Sequence, residues 1–234
     1  MFDKYILITG ATGSLGRAVT FCCAKAGANV TLPYRDENRV KQLISEISEP
    51  DKDLVKHITP VKANLLNEED VQDVIKKMPR TDILIHLMGG FAVGRTADTP
   101  LSDWQSQLNL NLTSAFIITK HVLRSMQQHG YGRIITIGSK AAVEAPGEMA
   151  AYVAAKAGLI AFTRSIAAEF KGQDITANVI LPSIIDTPAN RSAMGENNVH
   201  RWVTPHSLAR IISYLISDAA NDIRGAVIPV YGNS

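Results

Sequence analysis

Several things are scarce in this chain of 234 residues. Cysteine occurs only as the adjacent pair Cys22 and Cys23. Neighbouring cysteines rarely bridge each other, and a single pair has no metal-ligand spacing, so neither a disulfide scaffold nor a cysteine-built metal site is expected. Both read as small apolar residues of a helix. No apolar run reaches the roughly 18 residues of a membrane span, so no membrane partner is expected. Charge of either sign is not in excess: 24 Lys and Arg stand against 22 Asp and Glu, a net +2 that argues against nucleic acid or an anionic membrane as partner. Low-complexity tracts, repeats and linkers are missing too, so residues 1–234 are expected to form one domain. The N-terminal residues run directly into a strand-like segment without a charged-then-apolar signal, which favours a cytoplasmic location.

What is present is an ordinary globular balance, 46% hydrophobic and 20% charged. Short apolar runs at 5–9, 29–32, 58–62, 83–87, 133–138, 177–181 and 226–230 read as strands. Amphipathic stretches at 15–26, 38–47, 68–77, 101–128, 150–170 and 205–217 read as helices. Strands alternating with helices imply an α/β fold, a doubly wound parallel sheet of about seven strands with helices on both faces. Residues 183–203 form the one long irregular stretch, and loops of that length in a compact domain usually serve function.

After the first strand comes Thr9-Gly10-Ala11-Thr12-Gly13-Ser14-Leu15-Gly16, opening the first helix. Glycines at such a turn let backbone N–H groups approach a pyrophosphate at the helix N-terminus, so a dinucleotide site is expected here. The second strand ends Leu32-Pro33-Tyr34-Arg35-Asp36. An acidic group there bonds the ribose 2′-hydroxyl, and a basic one pairs with a 2′-phosphate. Arg35 suits the phosphate, which favours NADP(H); Asp36 next to it leaves NAD(H) open.

Tyr152-Val153-Ala154-Ala155-Lys156 sets a phenol and an ammonium on one helix face. A free tyrosine titrates near pH ~10, and a nearby cation lowers that value, which turns a phenol into a usable acid or base. Ser139 stands just past the fifth strand, at the sheet edge where such folds bind ligands. Asn111, within the helix at 101–128, is the further polar candidate, with Asn109 expected to face the surface instead. His86 reads as a satisfied core histidine, and Trp104 and Trp202 as packing residues.

On these residues the chain resembles a short-chain dehydrogenase/reductase over essentially its full length. The resemblance implies that Tyr152 protonates the substrate oxygen during reduction. Lys156 would lower the phenol's pKa and hold the nicotinamide ribose, Ser139 would orient the carbonyl, and Asn111 would anchor a relay water. It also implies a cofactor set of Thr9, Gly10, Thr12, Gly13, Ser14, Leu15, Gly16, Arg35, Asn64, Leu65, Gly89, Pro182, Ile185 and Thr187, with Tyr152 and Lys156 shared. The substrate would be a small carbonyl compound or alcohol, and the assembly a homodimer or homotetramer through the helices at 101–128 and 150–170.

Departures from the family pattern are visible as well. Ser14 stands where a glycine is usual, His86-Leu87-Met88-Gly89 replaces Asn-Asn-Ala-Gly, Asn64 replaces an aspartate and Pro182-Ser183 replaces Pro-Gly. Gly89-Gly90-Phe91, Lys140-Ala141-Ala142 and the segment from Leu181 to Met194 resemble the NADH-linked dihydropteridine reductases. That subgroup typically lacks the serine that this chain keeps as Ser139. The altered turn and the lost asparagines also motivate a second class of function, a non-catalytic cofactor-binding sensor.

Overall fold

In a computed structural model that describes residues 2–233, seven strands form one parallel sheet. They are β1 (Tyr5–Thr9), β2 (Asn29–Tyr34), β3 (Ile58–Lys62), β4 (Ile83–His86), β5 (Gly132–Ile137), β6 (Ile175–Pro182) and β7 (Val227–Val230). Their order is β3-β2-β1-β4-β5-β6-β7. The chain leaves β1 toward one edge and returns at β4 to build the other. A crevice therefore opens between the C-terminal ends of β1 and β4, where ligands of doubly wound sheets bind.

The central strands are apolar on both faces because helices cover both. Ile6, Ile8, Ile83, Ile85 and Ile135 face one core, which contains residues of α1 (Ser14–Lys25), α2 (Glu37–Ser48) and α9 (Pro205–Leu215). Leu7, Leu84 and Ile134 face the other, with α3 (Glu68–Lys76), α5 (Ser114–His129) and α7 (Ala150–Glu169). Each such aliphatic side chain contributes about 1.5–3 kcal/mol on full burial, so the alternation fixes which way every strand faces.

Helix ends follow local chemistry. Asn67 caps α3 by accepting from the N–H groups of Glu69 and Asp70, and three acids in that first turn suit the positive end of the helix dipole. Thr204 caps α9, with Pro205 at its first position.

Two expectations need correction. The single helix at 101–128 is α4 (Leu101–Leu108) joined to α5 through a π-helical turn at Asn109–Thr113. The stretch at 183–203 is not irregular throughout: it contains α8 (Pro188–Met194) and a 3-10 turn at Val199–Arg201, and it bridges from Ile185 to Val203. Thr187 caps α8 by accepting from the N–H of Asn190, a short-range signal that periodicity does not register. A short α6 (Ala141–Glu144) was likewise not expected. The seven strands lie within two residues of their expected ends, β2 running on to Tyr34 and β6 starting at Ile175. Among the described residues no helix is long and apolar enough to cross a membrane.

Candidate active site

Beyond the C-terminal ends of β4, β5 and β6 lies a cavity of about 560 Å³. Ser139, Tyr152, Lys156, Asn111, Gly89, Pro182 and Ile185 all contribute to its wall. Seven of the residues singled out in the sequence are thus gathered on one side of the crevice.

Tyr152 and Lys156 project from α7, one turn apart. A hydrogen bond to Ser139 pulls the phenol's pKa down, but burial outweighs it and leaves Tyr152 above the ordinary tyrosine range. The Tyr152 and Phe91 rings meet edge-to-face, with ring centres 5.1 Å apart. Ser139 also accepts from the N–H of Ala141, which fixes its hydroxyl at the start of α6. Lys156 is 5% exposed, and burial brings its pKa down to about 8. Its ammonium donates to the carbonyl of Ile137 at 2.7 Å, at the end of β5. The expected lowering of the phenol by Lys156 is therefore not found in this arrangement: the cation is drawn to β5, and Ser139 is the group that eases the phenol's ionisation.

Asn111 sits in the π turn, fully buried, whereas Asn109 faces solvent as expected. A π turn shifts the helix register and often occurs at functional sites. Here it turns the Asn111 carboxamide onto Gly90. The amide oxygen accepts from Gly90 N at 3.1 Å, and the amide nitrogen donates to Gly90 O at 3.0 Å and to Gln107 O at 3.1 Å. The side chain thus braces the 89–91 segment, and any water relay has to use another atom of Asn111. Gly89 is required by the same packing, since a Cβ there would lie 2.8 Å from Asn111 Oδ1 and 3.2 Å from Lys156 Nζ. Gln107, Ile137 and Met149 were not singled out in the sequence: Ile137 acts through its backbone carbonyl, Met149 lines the cavity, and Gln107 accepts from the Asn111 amide through both its backbone carbonyl and its side-chain oxygen.

On the other side of the crevice, β1 leads through the glycine turn into α1. Gly13 stands at the N-cap and has no side chain to cap the helix, so the first N–H groups of α1 are left for a ligand. At Gly16 a Cβ would come within 2.3 Å of Gly10 O, so only glycine lets the helix start so close to the turn. This donor set fits a dinucleotide pyrophosphate. Thr9 Oγ1 accepts from the N–H groups of Leu87 and Met88 and contacts His86 Nδ1 at 3.0 Å. With two donors already on it, the hydroxyl gives its one hydrogen to Nδ1, so His86 carries its proton on Nε2. Among the described residues that buried Nε2–H has no partner, so His86 is only half satisfied. Burial, with the nearby Lys156 charge, pushes its pKa down to about 3.

The adenosine end is looser. Arg35 is exposed, and among the described residues it forms no hydrogen bond or ion pair. Asp36 is committed elsewhere: it caps α2 by accepting from the N–H groups of Asn38 and Arg39. Tyr34 donates to Glu37 at 2.8 Å. Asn64 is exposed and turns its oxygen onto the N–H of Leu66, while Leu65 packs into the core. Trp202 is buried, as a packing residue should be, whereas Trp104 stays partly exposed. Cys23 is buried and Cys22 half-buried, both as free thiols.

Comparisons with known proteins give the family. Residues 4–198 match the short chain dehydrogenase family. The chain belongs to that family. A 3-oxoacyl-[acyl-carrier-protein] reductase of Synechocystis is 32% identical over 242 residues, covering 97% of this chain and 94% of that protein. The crystal structure of a short-chain dehydrogenase/reductase family oxidoreductase from Burkholderia thailandensis superposes with a TM-score of 0.88 at 30% identity, over 99% of this chain and 92% of the other. The actinorhodin polyketide ketoreductase, solved with NADPH, shares the fold at a TM-score of 0.89 and 23% identity, over 98% of this chain and 96% of that one. This chain is accordingly an oxidoreductase of the short-chain dehydrogenase family, a family that uses a nicotinamide cofactor.

Proposed function

We propose that the protein reduces a small carbonyl compound with NADPH, with Tyr152 as the proton donor. The observation that carries this reading is the gathering of Ser139, Tyr152 and Lys156 on the wall of one cavity, with Ser139 easing the ionisation of the phenol one helical turn from Lys156. The hydride to the carbonyl carbon would come from a nicotinamide dinucleotide held in the crevice. Ser139 and Tyr152 hold the carbonyl oxygen, and as its charge develops the Tyr152 O–H gives it the proton. Burial holds the phenol above its usual range, so the acid form is present throughout neutral pH. The reverse oxidation needs the phenolate and should gain rate as pH rises. Lys156, charged below about pH 8 and held on the carbonyl of Ile137, offers its remaining N–H donors to the nicotinamide ribose. Thr9, Gly10, Thr12, Gly13, Ser14, Leu15 and Gly16 receive the pyrophosphate side, Asn64 and Leu65 the adenine, and Gly89, Pro182, Ile185 and Thr187 the nicotinamide.

Arg35 is the group that would pair with a 2′-phosphate, and Asp36 is spent on capping α2, which supports NADP(H) over NAD(H). We further place the chain in a homodimer or homotetramer through α5 and α7, where Phe116 is half exposed and meets Phe162 edge-on. The test is to follow reduced-cofactor absorbance with NADH and NADPH in parallel against a carbonyl panel that includes a quinonoid dihydropterin. The expected result is turnover of simple carbonyls with NADPH preferred. Turnover of the pterin alone would move the assignment to the dihydropteridine reductases. Tight cofactor binding without any hydride transfer would make the protein a sensor.

A further inference from the structure

Three charged side chains line the cavity: Lys156, Lys140 and Glu144. Lys156 is buried and bonded to Ile137, so it is not the group that meets a substrate's charge. Lys140 directly follows Ser139, and its backbone is held from both sides. Its N–H donates to Pro182 O at 2.9 Å, and its carbonyl accepts from the N–H groups of Val143 and Glu144 as α6 begins. The Lys140 side chain is therefore anchored to the same rigid loop that carries the Ser139 hydroxyl. It is 26% exposed, its ammonium lies 3.3 Å from Glu144 Oε1, and it stands 5.3 Å from the centre of the Tyr231 ring.

The two partners of this ion pair are not equal. Glu144 is 57% exposed and sits on the last residue of a four-residue helix, followed by Ala145 in the left-handed region. Its carboxylate can swing into solvent, because a solvated pair of this kind holds weakly. The Lys140 backbone, by contrast, is held at both ends within the cavity wall, and its side chain is the less exposed of the two. An incoming carboxylate can thus take the place of Glu144 on an ammonium that is already partly desolvated, where a charge-assisted hydrogen bond is stronger than in open water.

We propose that the substrate is a small oxo acid, its carboxylate bound by Lys140 while its carbonyl oxygen meets Ser139 and Tyr152, with Glu144 as the competing anion. This rests on the carbonyl-reducing reading above and adds the substrate class to it. A neutral ketone would fill the same cavity without replacing Glu144, and would forgo the charge-assisted contact.

The test compares acetoacetate and levulinate with their methyl esters. For wild-type enzyme with NADPH, kcat/KM should favour the acid over its ester by about tenfold or more, the scale of one hydrogen bond to a charged group. Lys140→Met should collapse that acid-to-ester ratio toward one, and Lys140→Arg should restore most of it. Glu144→Gln should raise the ratio above wild type, a result that loss of a merely structural ion pair would not give. An unchanged ratio in Lys140→Met, or a ratio near one in wild type, would overturn the inference. If neither acids nor esters are reduced, the carbonyl reading is the one that fails. Dissociation constants of the same acids and esters for the enzyme–NADP+ complex, from ligand-observed NMR, then decide the role of Lys140 by the same ratios.

Discussion

The two ends of the ligand crevice are built differently. At the catalytic end, Asn111 is fully buried and Lys156 nearly so, and both are tied to backbone groups of Gly90 and Ile137. At the adenosine end, Arg35 and Asn64 lie in solvent. Buried, mutually bonded groups have one arrangement, and removing one leaves its neighbours unsatisfied. Exposed groups act through a high-dielectric medium and can be exchanged with modest consequences. The contrast implies a reaction geometry that tolerates little change and a cofactor preference that is easily altered.

Substitutions at the catalytic end should accordingly have the largest effects. Lys156→Met should lower the reduction rate constant by roughly a thousandfold, within the range of acid–base contributions, as read by stopped-flow cofactor oxidation. In wild type the same rate should decline above about pH 8, where Lys156 loses its proton. A flat profile to pH 10 would detach Lys156 from the chemistry.

Gly89→Ala comes next. Its new methyl group presses on both Asn111 and Lys156, and displacements of this order cost about a hundredfold in kcat/KM. Wild-type rates in a folded Gly89→Ala protein would show that the brace is not needed.

Arg35→Ala tests the loose end. KM for NADPH should rise about tenfold while KM for NADH stays within about twofold, since only the phosphate loses a charged partner. Equal effects on both cofactors would show that Arg35 does not read the phosphate.

The smallest effect at neutral pH is expected from His86→Asn. His86 is neutral when folded, with a pKa of about 3 against 6.5 for a free histidine. Its contribution to stability is complete above pH 6.5 and is lost as pH falls toward 3, because the unfolded chain takes up the proton first. His86→Asn should make stability less sensitive to acid across that window in chemical denaturation, and an unchanged slope would contradict the burial argument.

The same contrast governs how much could be read from the sequence. β1 to β7 were legible because parallel strands buried on both faces appear as unbroken apolar runs, as in Ile83-Leu84-Ile85. Tyr152 and Lys156 were legible from their four-residue spacing, Ser139 from its place after a strand and Asn111 from its place inside a helix, each strengthened by the family resemblance, and the cavity gathers all four. The π turn was not, because a single extra residue per turn leaves the apolar pattern of 101–128 almost intact. Nor was α8, whose short run carries its signal in the Thr187 cap and Pro188 rather than in periodicity. The partner of Lys156 was misjudged for a third reason. Spacing puts it on the face of Tyr152, but its charge goes to a backbone carbonyl from another element, which only the folded packing brings near.

The most direct measurement of the central claim is single-turnover reduction by Tyr152→Phe, with cofactor binding followed in parallel by fluorescence. The account predicts NADPH bound within about threefold of wild type and a hydride-transfer rate lowered by about a hundredfold or more, the loss expected for a general acid. Hydride transfer at the wild-type rate from the bound cofactor would contradict it.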